Sequence, residues 1–408
     1  MRVAVLVGAF PKLSETFVLN QVTGLIDRGH DVHIFANEVG DAGAAHDEVA
    51  SYRLFERAHY SPALPRSTVA RVAGALPLFG STLRRSPGSA AALLNVVKFG
   101  RSAASLRLLY YAAPFRNLND FDILLCHFGP VGIRTAWLRD AGVVRGRLVT
   151  VFHGFDMSVF LRNAKPGVYN HLFRTGDLFL PISEAWRRRL IALGCPASKT
   201  HVHRMGIDCA RFKFTPREPP NRGPLRVVTV ARLVEKKGVE YAIRAVARLV
   251  AAGVDIEYTV VGDGPLREML SQLTEGLGVS GCVKLIGYMA HSDIAALLQR
   301  SHVMLAPSVT ASDGDMEGLP VAIMEAMASG LPVVSTIHSG IPELIDDDVN
   351  GYLVPEKDVS ALAAKLEHVA FNTADWRRVA DAARRAVVER HDIRTLNDKL
   401  AALLGGLA

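Results

Sequence analysis

The chain opens with VAVLVGAF, a short run with no polar interruption, and apolar stripes then recur at helical spacing through Val18, Val22, Leu25 and Ile26 until Gly29. That pattern predicts a strand buried on both faces followed by a helix from about Ser14 to Arg28. DVHIFA predicts a second strand, and further apolar runs follow at FDILLCHF, RLVTVFHG and DLFLPIS, where Ser183 is placed to cap the next helix. After the proline-rich stretch FTPREPPNRGP, residues 214–224, the same grammar restarts with LRVVTVARL, EYTVVGDG, VKLIGYM, HVMLAPS and LPVVST. Strands alternating with helices imply parallel sheets covered on both faces. The chain is thus expected to fold as α/β with two doubly wound Rossmann-like domains: residues 1–213, a linker 214–224, and residues 225–385. A terminal helix, 386–408, is expected to pack back toward the first domain. Two such domains leave a cleft between the carboxyl ends of their strands, where ligands of open sheets bind.

EGLPVAIMEAMASGLPVVST, residues 317–336, breaks this apolar pattern with two glutamates. Pro320 suits a first helical turn, Val321, Met324, Met327 and Ala328 follow at helical spacing, and Gly330 ends the run. The first backbone N–H groups, near Leu319 and Val321, then offer positive potential to a phosphate. Glu317 and Glu325 flank that terminus; taken singly, each reads as an ordinary charge at a helix start or on a solvated face. ARLVEKKG brings Arg232, Lys236 and Lys237 to a strand end, suited to a diphosphate or simply to a solvated turn. GDGP, residues 262–265, is a tight strand-to-helix turn with more structural than phosphate-binding character.

A chain of 408 residues exceeds the span over which one core keeps growing. Its 49% hydrophobic and 21% charged residues are close to globular averages, which excludes disordered and fibrous classes. Cys126, Cys195, Cys209 and Cys282 show no metal-ligand or disulfide spacing, in keeping with a reducing cytoplasm. No signal peptide or membrane-spanning run is recognisable. The +7 charge is local: residues 53–116 hold ten Lys/Arg against Glu56, a segment charge of +9, leaving the remainder slightly acidic. No nucleic-acid partner is expected. Within that segment Arg66, Arg71, Arg84, Arg85, Lys98, Arg101 and Arg107 alternate with ALPLF, AALLNVV and SLRLLYY, the composition of helices that lie on an anionic membrane surface or, equally, of solvated helix faces.

ARLVEKKG, VGDGP, PSVTASDGDMEGLPVAIMEAMASGLPVVST and GIPELI together resemble the donor-binding half of the retaining, nucleotide-sugar-dependent glycosyltransferases of family 4, which have the GT-B fold. FPKLSETFVLNQ, FHGFD, LFRTGDLFLPISEAW, LGCP and RMGID are similar to the exopolysaccharide branch, the colanic-acid and amylovoran glycosyltransferases. The resemblance implies that Glu317 addresses the donor sugar and Glu325 the nucleotide ribose, with Gly318, Leu319 and Val321 beside the donor. It further implies that Arg232 and Lys237 bind the diphosphate and stabilise it as leaving group, and that His153 lines the sugar at the reacting centre. No metal or other cofactor is expected, because fixed cations and a helix terminus suffice for the departing UDP or GDP. The implied acceptor is a lipid-linked oligosaccharide of exopolysaccharide assembly, met from the cytoplasm at the inner face of the plasma membrane. Where many family members have a Gly-rich first loop this chain has GAFPKLSET, so Ser14, Glu15 and Thr16 are the acceptor-side candidates there. Arg204 to Asp208, RMGID, departs from the wider family's Asn-Gly-Asp pattern. Two other readings remain open: a sugar-nucleotide epimerase of the same fold, and a non-catalytic protein that binds a nucleotide-sugar or polysaccharide.

Overall fold

The structure, a computed structural model, describes residues 1–12, 15–41, 47–220 and 223–408; Ser14, one of the acceptor-side candidates, lies outside them. Two six-stranded, wholly parallel sheets account for the apolar runs. The first has the order β3-β2-β1-β4-β5-β6, with β1 Arg2–Phe10, β2 Asp31–Val39, β3 Ala58–Tyr60, β4 Asp120–His127, β5 Arg145–Phe152 and β6 Leu178–Pro181. The second runs β12-β11-β10-β7-β8-β9, with β7 Leu225–Val230, β8 Ile256–Val261, β9 Val283–Gly287, β10 Val303–Ala306, β11 Val333–Thr336 and β12 Tyr352–Val354. This is the two-domain GT-B architecture.

Ten of these strands follow the sequence pattern. The edge strands β3 and β12, three residues each, do not, because so short a stretch carries no readable alternation. Ser183 caps the helix Glu184–Ala192 as expected, its Oγ accepting from the Trp186 N–H at 3.2 Å. Where a single terminal helix from about residue 386 is expected, the chain instead forms two, Trp376–His391 and Ile393–Gly405. They part at Asp392, whose carboxylate caps the second by accepting from the Arg394 and Thr395 N–H groups. That last helix lies on the first-domain helix Thr16–Asp27, joined by Arg28 to Asp398 at 2.6 Å and by the Asn397 side-chain amide to the Asn20 carbonyl at 3.1 Å.

In each sheet the strand order reverses once, between β1 and β4 and between β7 and β10. The loops leaving the carboxyl ends of those strands, after residues 10, 127, 230 and 306, therefore face the cleft at both switch points. An apolar cluster continues from the first sheet to Leu319, Ile323, Met324 and Met327, so burial holds the helix Val321–Ala328 against the first domain. The proline-rich linker is anchored by Arg217, whose guanidinium donates to the Ser301 and Leu298 carbonyls at 3.0 and 2.9 Å.

Candidate active site

A cleft of about 1110 Å³ separates the two domains. On its C-terminal wall, β7 delivers the turn 231–238. Gly262 and Gly264 brace that turn from behind: both have positive φ, and a Cβ on Gly262 would lie 1.9 Å from the Ala231 carbonyl oxygen. The GDGP turn is therefore a close backbone brace for the loop that carries Arg232.

Three consecutive residues of the turn engage the 312–317 loop. Glu235 accepts from the Ser312 N–H and hydroxyl, each at 2.7 Å, Lys236 pairs with Asp315 at 2.9 Å, and Lys237 forms an ion pair with Glu317. Lys236 is buried, so the reading of ARLVEKKG as a solvated turn fails at that residue. Burial would raise the Glu317 carboxyl, but the charges of Lys237 and Lys236 outweigh it and hold the pKa down at about 2. The Glu317 backbone N–H donates to His338 Nε2 at 3.0 Å, which leaves the proton on Nδ1 to be donated to Glu356 at 2.6 Å. Glu356 also accepts from the Thr310 N–H at 2.7 Å. A chain of hydrogen bonds thus fixes the backbone at Glu317 from inside the domain.

On the N-terminal wall His153 directly follows β5. It is buried, with its ring 4.4 Å from that of Phe17 and 4.5 Å from that of Phe128, and its Nε2 lies 3.3 Å from His127 Nδ1. Burial, and then the neighbouring imidazole, lower the pKa of His153 well below the usual histidine value, so the ring is neutral. The loop after it is tied down by Asp156, which accepts from the His153 N–H at 2.8 Å and the Gly129 N–H at 2.9 Å. Burial pushes Asp156 up to about 7 against the pull of those backbone donors. Glu15 pairs with Lys12 at 3.0 Å; burial raises its carboxyl and Lys12 pulls it back.

The two walls touch at Gly154, where a Cβ would stand 2.9 Å from both the Gly318 nitrogen and the Met316 carbonyl oxygen. The structure thus brings Glu15, Thr16, His153, Arg232, Lys237, Glu317, Gly318, Leu319 and Val321 to one cleft. Glu325 lies one turn further along its helix, is buried, and lines an adjoining cavity of about 400 Å³ that shares Thr16 and Val321 with the cleft. Its burial departs from the solvated-face reading of that position. Asp315, His338, Glu356 and Asp156 join the candidate site through their contacts without having been singled out in the sequence. Asp315, two residues before Glu317 in an acidic loop, carried a readable signal; His338 carried none. Among the described residues, no group of three or more His, Cys, Asp or Glu side chains is placed to hold a metal ion.

Residues 14–211 match the model of Glycosyltransferase Family 4 and residues 211–404 that of Glycosyl transferases group 1. Over its full length the chain is 42% identical to the putative colanic acid biosynthesis glycosyltransferase WcaL of Escherichia coli K12, covering 100% of both. The chain belongs to glycosyltransferase family 4. Within the exopolysaccharide branch it is also 43% identical to the amylovoran biosynthesis glycosyltransferase AmsK of Erwinia amylovora, covering 98% of each chain. This family 4 enzyme is a glycosyltransferase of the hexosyltransferase type. Its fold is shared with Anabaena HepE, solved in complex with UDP and glucose (TM-score 0.71, 20% identity, 100% of both chains). The sucrose-phosphate synthase of Thermosynechococcus elongatus also shares it (TM-score 0.71, 16% identity, 100% of this chain and 99% of that one).

Proposed function

We propose that this glycosyltransferase takes a sugar from a UDP- or GDP-sugar and transfers it, with retention of anomeric configuration, to a lipid-linked oligosaccharide in exopolysaccharide assembly. The donor sits on the 225–385 side of the 214–224 linker and the acceptor on the 1–213 side. The observation that carries this reading is the set of contacts from Glu235, Lys236 and Lys237 to the 312–317 loop, which holds Lys237, Glu317 and a helix start in the cleft that His153 also lines. HepE, of the same fold, binds UDP and glucose, which supports a nucleotide-sugar donor.

In the step, the bond from the anomeric carbon to the diphosphate oxygen breaks as the acceptor oxygen bonds to the same face. The acceptor hydroxyl proton passes to the departing diphosphate. Negative charge grows on that diphosphate, where Arg232, Lys237 and the N–H groups of the Val321–Ala328 helix stabilise it. Glu317, held ionised, accepts from the sugar hydroxyls, and neutral His153 hydrogen-bonds the sugar without acting as a proton source. Glu325 holds the ribose, Gly318 and Leu319 flank the donor, and Glu15 and Thr16 face the acceptor. No protein nucleophile and no metal take part. An epimerase needs carboxylates free to exchange protons, and those lining the cleft, Glu15, Asp315 and Glu317, are each paired with a lysine.

Incubation with a panel of UDP- and GDP-sugars tests the reading. Release of nucleoside diphosphate from one donor, dependent on a lipid-linked oligosaccharide extract, is expected; an epimer formed without acceptor, or binding alone, would replace it with one of the other two functions.

The basic segment is proposed to dock on the anionic cytoplasmic leaflet. Its helix Thr68–Arg85 buries only Ala75 and Leu78, while Val69, Val72, Leu76 and Leu83 stand exposed on one side and Arg84 and Arg85 are exposed at its end. Val97 nearby is fully exposed. An apolar stripe bordered by arginines suits insertion at an anionic interface, each basic residue adding about 1 kcal/mol there. Among the described residues no helix is long and apolar enough to cross a membrane. Sedimentation with anionic but not neutral liposomes is expected, reversed by salt and weakened by Arg84→Glu with Arg85→Glu. Equal recovery in the supernatant with both liposome types would reject docking.

A further inference from the structure

The charges lining the cleft do not balance evenly. Its carboxylates are Glu15, Asp315 and Glu317, and each is taken by a lysine: Lys12, Lys236 and Lys237. The guanidiniums of Arg107, Arg134 and Arg232 line the same space, and none has an ion-pair partner among the described residues. Arg232, on the C-terminal wall, is accounted for by a donor diphosphate. Arg107 and Arg134, on the N-terminal wall, are not.

Arg134 projects from the helix Gly129–Asp140 and lies half-buried, with its guanidinium carbon 4.5 Å from the centroid of the Tyr111 ring. Burial lowers the pKa of the group without uncharging it. A half-buried cation with no carboxylate beside it is incompletely compensated, and the face and hydroxyl of Tyr111 offset this only in part. Packing on Tyr111 accounts for where the guanidinium sits. It does not explain why Arg107 joins it on the same stretch of wall, nor why that stretch excludes acids: residues 57–119 contain no Asp or Glu. Trp137, one turn along from Arg134, and Phe160 add apolar walls to this arm of the cleft. A guanidinium held beside a ring still carries N–H groups in a planar fork, the geometry that carboxylates and phosphates accept in bidentate fashion.

We propose that this arm, with Arg134 held on Tyr111 and Arg107 at its rim, is a subsite for an oxyanion on the acceptor, so that the enzyme selects acidic acceptors over neutral ones. The oxyanion is a carboxylate of an acidic sugar or the diphosphate of a lipid carrier. The proposal rests on the transferase reading, since it assigns the N-terminal side of the cleft to the acceptor.

The test uses the full chain saturated with UDP or GDP, so that Arg232 and the C-terminal wall are occupied. Calorimetric titration then compares methyl glucuronide with methyl glucoside, and geranyl diphosphate with geraniol. In at least one pair the anionic member should bind tenfold or more tightly than the neutral one, and the pair that separates identifies the source of the oxyanion. Arg134→Gln should remove that preference while leaving UDP or GDP affinity within about twofold. Arg107→Gln, an exposed change that leaves folding intact, should weaken the anion about threefold. Equal affinity within both pairs, or an anion preference that survives both substitutions, overturns the subsite. Failure of both UDP and GDP to bind would instead remove the transferase reading, and the subsite with it.

Discussion

On the C-terminal wall of the cleft Lys236 and Lys237 are each held by a carboxylate of the 312–317 loop; on the N-terminal wall, beyond the Lys12–Glu15 pair, stand a neutral histidine pair, aromatic rings and two arginines with no acid beside them. On the proposed reading the difference follows from what each wall meets. A wall that faces a departing diphosphate must hold its cations at fixed positions before the charge develops, and ion pairing with neighbouring loops does so. A wall that faces an acceptor must exclude water around the reacting hydroxyl, which aromatic rings and uncharged imidazoles do, while its two arginines stay open to an acidic group.

The contrast can be broken most strongly at Lys236, whose role is to hold the 312–317 loop. Lys236→Ala leaves Asp315 without its partner in a largely buried place, and a loss of about 3 kcal/mol is expected. Urea unfolding measures it; a change under 0.5 kcal/mol would mean that the pairing does not brace the loop. Glu325→Ala is expected to remove a charge-assisted hydrogen bond to the nucleotide ribose, about 2 kcal/mol or thirtyfold in UDP or GDP affinity. Unchanged affinity in calorimetry would take Glu325 out of the donor site.

A smaller effect sharpens the N-terminal side. Burial pushes His127 down to about 3, whereas an unfolded histidine titrates near 6.5. The unfolded chain therefore binds the extra proton below pH 6.5, so the stability contributed by the neutral ring is complete above that pH and is lost as pH falls toward about 3. Each such residue adds at most about 1.4 kcal/mol per pH unit to that loss. His127→Asn should flatten the pH dependence by about that amount in urea titrations at pH 7 and pH 5; an unaltered slope would show that His127 is charged in the fold.

Much of this was legible in the sequence. Fully buried parallel strands read as unbroken apolar runs, so ten of the twelve strands were visible, as were the caps at Ser183 and Gly330. The edge strands Ala58–Tyr60 and Tyr352–Val354 were not, being too short to carry a period. In the site, parallel topology put His153, Arg232 and Lys237 at or just after strand ends on the cleft, but only the family resemblance singled them out from a packing histidine and a solvated turn. Their partners were not visible, since Lys236 with Asp315, or Glu356 with His338, join residues 79 and 18 positions apart through loop conformations that no local pattern encodes. Arg134 shows the same limit: its helix is readable, but its lack of an acid neighbour emerges only when the cleft is assembled.

The central claim, that the C-terminal wall stabilises charge developing on the leaving diphosphate, is tested most directly at Lys237. In Lys237→Ala, single-turnover transfer and calorimetric donor affinity are compared with the wild type for the donor that turns over. An ion held more tightly in the transition state than in the ground state must show more in rate than in binding. The expected result is a rate loss on the order of a hundredfold to a thousandfold, exceeding the loss of affinity by at least tenfold. Equal losses in rate and affinity would contradict the account, reducing Lys237 to a group that holds the donor and does nothing more when the bond breaks.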